Sequence, residues 1–449
     1  MRLRALPFAI ALTLTFHGAP AAAGQTLAEV FAQAQRHNPT LRSARAAYRA
    51  ALARVPLARS RLLPQLAAAA DLSDSTQDNS NNPLLQRFAM PNNWDYVSRD
   101  ISLTATQALY RPGEQIAVTQ AETGARIAYL QWLQANQELA VQVASAYFDV
   151  LAAEDDVQSL QAQQKAIVQQ AAAARGNFAA GNGTIVDVRD AQARADLTAA
   201  QVLAAQNRVE LARARLQQLT GEPPGRLDDL VPGVDLPLLG GDLQSWADKA
   251  TQGNLSVRQA VLAVDNARMQ ARKAGSGKLP TVDAYARVDH ASTSGGGPLF
   301  PFGNRADVAT IGVRVQWPLF TGFGVQSEVE QSAHDLDRAQ ADLDAVRLAA
   351  AQGARSAYLG VESGMAQVKA LDAAIASSRS ALEANETGYR VGMRVNIDVL
   401  NALSQLYETR RLADKARYDV LVGQLRLKLA DGSLSARDVD ALSALLQPG

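Results

Sequence analysis

Residues 139–178 read LAVQVASAYFDVLAAEDDVQSLQAQQKAIVQQAAAARGNF, and this stretch decides the fold. Small or apolar residues recur in alternating steps of four and three, which is the a/d pattern of a coiled coil. No proline interrupts residues 113–179, so the pattern predicts one helix of roughly 100 Å at 1.5 Å per residue. The seam consists of Leu139, Val143, Ala146, Val150, Ala153, Val157, Leu160, Gln164, Ile167, Ala171, Ala174 and Phe178, of which only Gln164 is polar.

The same features occur a second time in the chain. Residues 178–188, FAAGNGTIVDV, match YRVGMRVNIDV at residues 389–399, which lie 211 positions later (389 − 178). A second coiled-coil seam, residues 350–389, leads into the second copy. A period of this length is too long for a solenoid, so we infer a tandem duplication of one unit that contains helices and strands.

Four segments alternate apolar and polar residues with the period of a β-strand. Each has about the length of a tilted transmembrane strand, with one face for lipid and one for a lumen. A strand of a soluble sandwich shows the same alternation, so a single strand does not decide between the two. Four strands are too few to close a water-filled barrel, because even small barrels use about eight. Several chains would therefore have to contribute.

The sequence divides into five parts on these signals. Residues 1–23 carry Arg2 and Arg4, a short apolar run and Ala21-Ala22-Ala23, which predicts a secretory signal peptide cleaved after Ala23. The first repeat is predicted at 24–220, with a first helix, strands at about 65–74 and 97–109, a long helix at about 113–179 and a shorter helix at about 184–220. A linker or equatorial segment, rich in proline and glycine, follows at 221–253. The second repeat is predicted at 254–432, with a first helix, strands at about 281–290 and 307–319, a long helix at about 323–390 and a shorter helix at about 395–430. A C-terminal tail follows at 433–449.

Composition argues against several classes of function. The chain has 44 basic and 44 acidic residues, so no global field attracts nucleic acid. It has no cysteine, which excludes a disulfide framework, a thiolate metal site and a lipidated cysteine. His37, His290 and His334 fall on unrelated elements without metal-ligand spacing. We therefore expect no enzyme, no cofactor and no metal site.

Three short motifs stand out in the second half of the chain, LFTG at 319–322, GYRVGMR at 388–394 and DVLNA at 398–402, and an Asp-Val helix start is found in both halves. In these motifs the chain resembles the TolC-like outer-membrane efflux family, the outer-membrane factors of tripartite efflux pumps and type I secretion systems. This resemblance covers nearly the whole chain after the predicted signal peptide. The resemblance implies an α+β membrane protein, a trimeric channel-tunnel with an internal tandem duplication.

In such a channel each of three identical chains gives four strands to one shared transmembrane β-barrel. The long coiled-coil helices form a periplasmic α-barrel. The resemblance thus implies an outer-membrane location extending into the periplasm, contact with outer-membrane lipid, and partners in a periplasmic adaptor (membrane fusion protein) and an inner-membrane pump or ABC transporter. The function implied is a passive exit duct, gated at its periplasmic end, for multidrug efflux or type I protein secretion.

The resemblance also assigns site residues at the helix turns. Asp398 and Asn401 match the constricting ring of the periplasmic aperture, although Asn401 stands where the best-known member carries a second aspartate. Asp187, Tyr389 and Arg394 match the lock that holds the aperture closed. The adaptor-contact tips match the turn glycines Gly181, Gly183 and Gly392, which we expect to adopt left-handed backbone.

Each assignment has a structural alternative. Asp187 and Asp398 begin predicted helices, where the helix dipole favours a carboxylate by typically 0.3–1 kcal/mol. Tyr389 continues the seam as Phe178 does, so burial alone would account for its ring. At the level of the whole chain, the alternative is a periplasmic coiled-coil adaptor or scaffold that never enters the membrane. That alternative leaves the four alternating strands without a role.

Overall fold

A computed structural model of the chain describes residues 24–78, 81, 83–87, 93–231, 233–234, 236, 240–295 and 303–447. The predicted signal peptide, residues 1–23, and the last two residues of the predicted tail lie outside this range. The helices are α1 (Leu27–His37), α2 (Pro39–Ser60), α3 (Pro83–Arg87), α4 (Pro112–Ala179), α5 (Ile185–Thr220), α6 (Leu243–Gly253), α7 (Leu255–Ser276), α8 (Gly324–Arg390), α9 (Asn396–Asp431) and α10 (Ala436–Ser443). The strands are β1 (Gln65–Asp78), β2 (Asn93–Tyr110), β3 (Asp229–Leu230), β4 (Thr281–Ser294), β5 (Asn304–Gln316) and β6 (Leu446–Gln447).

The elements come in two series of matching order and length. Helices α4 and α8 have 68 and 67 residues, α5 and α9 have 36 each, α2 and α7 have 22 each, and α1 and α6 have 11 each. The second series therefore begins with α6, inside the segment that the sequence analysis assigned to a linker. The helix was not predicted because the preceding residues, 221–241, are rich in proline and glycine and led to the prediction of a linker.

Equivalent residues begin equivalent helices. Asn38 accepts a hydrogen bond from the backbone nitrogen of Leu41 (3.1 Å) at the start of α2. Asn254 accepts one from the nitrogen of Ser256 (2.9 Å) at the start of α7. Each asparagine satisfies a backbone donor that the first turn of a helix leaves free. The short helix and the longer helix that follows it are thus separated by one capping residue in both series.

Four strands form one antiparallel sheet in the order β1-β2-β4-β5. Leu103 lies opposite Val288, and Val315 lies opposite Val282, so the register gathers apolar side chains on one face. Val282 is half-buried, but Leu103, Val288 and Val315 remain exposed in the chain, and Ile311 keeps 87% of its surface accessible. In the part of the chain that the structure describes, β1 and β5 are the edges of this sheet, and each pairs with one other strand.

The main hydrophobic core lies halfway along α4, about 50 Å from either end of this helix. Tyr147 and Phe148 of α4 are almost fully buried there against residues of α1, α9 and α10. The predicted tail contributes Leu434, Val439 and Leu442 to this core. Strand β6 of the tail also pairs with β3 of the predicted linker. Linker and tail together therefore build a packed layer around the middle of the long helices.

Among the described residues, no helix is both long enough and apolar enough to cross a bilayer.

Candidate functional site

Both long helices end in the same kind of turn. Gly181 and Gly392 adopt positive φ angles of 77° and 76°, which residues other than glycine rarely adopt. The nitrogen of Asn182 donates to the carbonyl of Asn177 (2.8 Å), and that of Met393 donates to the carbonyl of Gly388 (2.8 Å). These bonds close the helix ends in the manner of a Schellman motif.

The expectation of left-handed backbone at Gly183 is wrong, because this residue is not among the glycines with positive φ. Gly183 instead packs closely against the last turn of α4. A Cβ atom at this position would lie 3.2 Å from the Cβ of Asn177 and 3.2 Å from the nitrogen of Phe178. The small size of the residue, rather than its backbone freedom, suits this position.

Asp187 completes the cap of α5. Its Oδ2 atom accepts hydrogen bonds from the nitrogen (3.1 Å) and the hydroxyl (2.7 Å) of Thr184. The Thr184 hydroxyl in turn accepts from the nitrogen of Asp187 (3.2 Å). This reciprocal arrangement is a capping box. Among the described residues, no hydrogen bond reaches the second oxygen, Oδ1, which leaves an acceptor available for another group.

Tyr389 ends the second long helix beside the end of the first. Its hydroxyl accepts a hydrogen bond from Nδ2 of Asn177 (3.1 Å) within the chain, and does not bond to the carboxylate of Asp187. Asn177 was not singled out from the sequence, because an asparagine near a glycine turn is ordinary for a helix end. The Asn177–Tyr389 bond ties the two halves of the chain together at this end.

Asn396 provides a second tie between the halves. It is fully buried, and its Nδ2 donates to the backbone oxygen of Asp187 (3.1 Å). Its Oδ1 accepts from Nε2 of Gln170 on α4 (2.7 Å). Asn396 therefore joins α4, α5 and α9 with both ends of its amide. Asn396 was not predicted from the sequence, where the available signal was a polar residue at the first position of α9.

Arg394 and Asp398 form an ion pair within the chain, with 3.6 Å between Nη1 and Oδ2. The stem of Arg394 lies on Gly388, where a Cβ would come within 2.7 Å of the arginine Cγ. Asn401, one turn further along α9, accepts a hydrogen bond from Nη2 of Arg194 on α5 (2.8 Å). Both predicted aperture residues thus have a cationic neighbour.

Five of the eight predicted site residues line one open groove of about 930 Å³ at the turn end, whereas Gly181, Asp398 and Asn401 do not line it. The groove brings together Asp187, Tyr389, Arg394, Gly183 and Gly392. Beneath it, a small apolar cluster packs α4, α5 and α9 against one another, and its members are Ile167, Ala171, Ala191, Ala195, Leu400 and Leu403. The groove therefore rests on a packed base. Among the described residues, no group of three or more histidines or carboxylates is arranged to hold a metal ion.

A second polar cluster, not anticipated from the sequence, lies between α4 and α9 near the middle of the molecule. Asp155 accepts a hydrogen bond from the hydroxyl of Tyr418 (2.7 Å), and Asp156 pairs with Arg411 (2.8 Å) and with Arg208. The run Glu154-Asp155-Asp156, between seam positions 153 and 157, was the signal available in the sequence.

Burial raises the pKa of the Asp155 carboxyl to about 6. The hydrogen bond from Tyr418 acts in the opposite direction, whereas Asp414 of α9, Asp229 of β3 and the adjacent Glu154 all raise the pKa further. Burial, followed by the charge of Asp155, also raises the pKa of the Tyr418 hydroxyl. The pair therefore keeps its proton on the tyrosine, and Asp155 titrates near the acid end of the physiological range.

Comparison with known proteins identifies the type of protein to which this architecture belongs. A family model described as outer membrane efflux protein matches residues 30–222 and 246–433. Outer membrane protein TolC of Escherichia coli K12 is 32% identical over 99% of this chain and 89% of its own length. Alkaline protease secretion protein AprF of Pseudomonas aeruginosa is 28% identical over 86% of this chain and 80% of its own length. The crystal structure of outer membrane protein VceC of Vibrio cholerae superimposes with a TM-score of 0.74 at 20% identity, over 90% of this chain and 96% of VceC.

The Asp155 geometry generates a prediction about pH. The pKa of Asp155 is raised in the folded protein above its ordinary value of about 3.9. The folded state therefore keeps this proton at pH values at which the unfolded state has lost it. The contribution of this carboxyl to the free energy of unfolding decreases as the pH rises from about 4 to about 6. We expect the decrease in the free energy of unfolding between pH 4.5 and pH 7.5 to be about 1–3 kcal/mol smaller in Asp155→Asn than in the wild type. Denaturant unfolding at the two pH values measures this difference.

The control is Asp190→Asn, which removes an exposed carboxylate on α5 and should keep the wild-type difference between the two pH values. An unchanged pH dependence in Asp155→Asn would contradict the titration of this residue.

Proposed function

Since this chain belongs to the outer membrane efflux protein family, we propose that it is the outer-membrane exit duct of a tripartite export machine. The duct is a passive channel for multidrug efflux, type I protein secretion or both. The observation that carries the proposal is an exposed apolar face on a four-stranded sheet, joined to helices of roughly 100 Å. The sheet offers a surface for outer-membrane lipid, and the helices have the reach to extend far into the periplasm.

The open edges of the sheet support a homotrimer. Among the described residues, β1 and β5 each leave one row of backbone donors and acceptors without a partner strand, and such an edge is a template for pairing with another chain. In the proposed assembly, β5 of one chain pairs with β1 of the next. Three chains then supply about 12 strands to one transmembrane barrel, above the roughly eight strands of the smallest barrels. The long helices of the three chains form the periplasmic tunnel.

The matching series of elements support an internal tandem duplication. The family model also matches the chain in two segments, 30–222 and 246–433. In the trimer, the two series would give the tunnel six similar units. A periplasmic scaffold outside the membrane, the alternative considered from the sequence, would leave residues such as Ile311 and Val313 in water.

The helix turns form the proposed periplasmic end. Gly181, Gly183 and Gly392 form the adaptor-contact tips, which dock a periplasmic adaptor that in turn joins an inner-membrane pump or ABC transporter. Asp398 and Asn401 line the aperture, because three symmetry-related copies of α9 would converge there. The lock consists of Asp187, Tyr389 and Arg394. Within the chain, the Asn177–Tyr389 and Asn396 ties hold the two turns together. Between chains, the free Oδ1 of Asp187 accepts from Arg394 of a neighbouring subunit.

The trimer is tested by mass. We expect the protein, extracted in mild detergent, to elute with a protein mass close to three chains in light scattering, because four strands leave two open edges. It should also be recovered in the outer-membrane fraction of the cell. A stable monomer that carries a complete conducting pore would contradict the architecture, and recovery in the soluble periplasm would contradict the location.

Function is tested by deleting the gene and measuring both drug susceptibility and the proteins released into the medium. We expect loss of at least one of these exports, restored by the wild-type gene. Gly392→Ala should restore export poorly, because a side chain at φ of 76° strains the tip. Gly353→Ala is the matched control, since its Cβ would meet open space on α8. Normal drug resistance and normal secretion in the deletion strain would refute the proposal.

The lock is tested by conductance in planar bilayers. Tyr389→Phe removes only the hydroxyl that accepts from Asn177, which is worth about 0.5–1.5 kcal/mol in each subunit. We expect a roughly two- to tenfold rise in the open-to-closed ratio for each bond lost. Asn177→Ala should produce a similar rise, and the double variant should add little, because both changes break the same bond.

Tyr407→Phe serves as the control for the lock experiment. Its ring packs beside Arg410, and its hydroxyl makes no hydrogen bond among the described residues. Equal conductance of Tyr389→Phe and wild type, in a variant that assembles normally, would remove Tyr389 from the lock. Asp187→Ala tests the contact between chains and should also raise conductance.

The aperture assignment predicts ion selectivity. Asn401→Asp should increase the preference for cations, because a second acidic ring reinforces the potential of Asp398. Arg194 already donates to Asn401 and would offset part of the new charge. The increase should therefore be larger when Arg194→Gln is added. Asn207→Asp places the same charge on an exposed part of α5 and should leave selectivity unchanged. No change with Asn401→Asp in either background would exclude position 401 from the aperture.

A further inference from the structure

The first described residues of the chain are held firmly against the segment that follows α5. The nitrogen of Gln25 donates to the carbonyl of Arg226 (2.7 Å), and the carbonyl of Gln25 accepts from the nitrogen of Asp228 (3.3 Å). The side chain of Gln25 accepts from the nitrogen of Gly225 (3.0 Å). These three hydrogen bonds of Gln25 also fix the position of the preceding residue, Gly24.

This junction is anchored to the main core by one tyrosine. The hydroxyl of Tyr147, on α4, lies 2.9 Å from the carbonyl of Gln25 and 2.9 Å from that of Asp228. It also accepts from the nitrogen of Asp228 (3.0 Å). Since Tyr147 is fully buried, the position of Asp228 relative to Gln25 is set by the core and not by a surface loop.

The carboxylate of Asp228 has no partner among the described residues. Asp228 is only 4% exposed, its Oδ1 atom is buried without a hydrogen bond, and no described lysine, arginine or histidine pairs with it. Burial and the charges of Glu29 and Asp229 raise the pKa of its carboxyl. A buried carboxylate without a cation is costly.

Gly24 lies directly against this carboxylate. A Cβ atom on Gly24 would come within 2.0 Å of Oδ1 and 3.2 Å of the nitrogen of Asp228, so only glycine fits. Covalent geometry places the nitrogen of Gly24 about 2.5 Å from that Cβ position, and therefore within about 4.5 Å of Oδ1. The nitrogen of the residue that follows the predicted cleavage site therefore lies close to the unpaired carboxylate of Asp228.

We propose that hydrolysis of the Ala23–Gly24 peptide bond creates the missing cation, and that the freed α-ammonium group of Gly24 forms a buried salt bridge with Asp228. A signal peptidase would catalyse the hydrolysis. Water supplies a hydroxyl group to the Ala23 carbonyl and a proton to the departing amine, which takes a second proton from solvent. The proposal rests on the predicted signal peptide and is independent of what the channel exports.

The salt bridge makes the layer around the middle of the long helices sensitive to processing. An uncleaved chain presents a neutral amide at this position and cannot neutralise Asp228. A chain cleaved one residue earlier would displace the ammonium group by about 3.8 Å, the length of one residue step. Only cleavage in the correct register completes the site.

The test measures the acidity of the N-terminal amine. Intact mass and N-terminal sequencing of the purified protein should identify Gly24 as the first residue. The rate of acylation of the α-amine by an amine-specific reagent, followed against pH by peptide mass spectrometry, yields its pKa. We expect this pKa to be about one unit or more above that of the denatured protein, so that labelling at pH 7 is roughly tenfold slower than in denaturant.

Two variants and a control separate the salt bridge from simple burial. Asp228→Asn should return the amine pKa to near its ordinary value of about 7.7–8.0, and Gly24→Ala should do the same because its Cβ displaces the amine. Asp229→Asn, which removes the adjacent carboxylate, should keep most of the wild-type shift. If Asp228→Asn does not fold, the pKa of the α-amine in the native wild type, compared with that in the denatured wild type, still tests the salt bridge. A different first residue, or an amine pKa in the native wild type equal to that in denaturant, would overturn the proposal.

Discussion

Lateral packing along the full length of the two longest helices is the constraint on which this structure depends. A helix of 68 residues extends about 100 Å, and no ordinary helix covers such a surface alone. Each long helix is instead covered by two helices, because α4 contacts α2 and α5, and α8 contacts α7 and α9. The end of α5 meets the end of α1 where Gly221 touches His37. The end of α9 meets that of α6 where Gly432 touches Gly253. Two shorter helices, of 36 and 22 residues, thus follow one another beside each long helix.

The features that were predictable from the sequence are those dictated by local periodicity. The seam that contains Val143 and Ile167 and the absence of proline placed the long helices, because heptads and chain stiffness are properties of neighbouring residues. Alternation placed the strands for the same reason. The turn glycines Gly181 and Gly392 were predictable, since left-handed backbone is a local requirement. Gly183 was wrongly predicted as a third such residue. The sequence does not reveal whether a glycine is needed for a positive φ angle or only because a Cβ atom would not fit.

What the sequence could not provide is contact between residues far apart in the chain. Asn396 bonds to Gln170 and to the backbone of Asp187, yet neither Asn396 nor Gln170 is distinguished from other polar residues in its own segment. The short helix α10 was assigned to a tail, because only its packing against the core explains its burial. The Asp155–Tyr418 pair joins residues 263 positions apart. In each case tertiary packing, rather than propensity, gives a polar residue its role.

The pairing of β2 with β4 has a consequence for biogenesis. Val97 lies opposite Ser294, so the hairpin of β1 and β2 must wait for almost 200 further residues before its neighbour in the sheet exists. A chain exported from its N-terminus presents that hairpin to the periplasm early, with Leu66 and Ile101 uncovered. Slow, long-range strand pairing of this kind leaves an aggregation-prone intermediate. The first hairpin therefore keeps an open edge and an exposed apolar face until the second half of the chain has arrived.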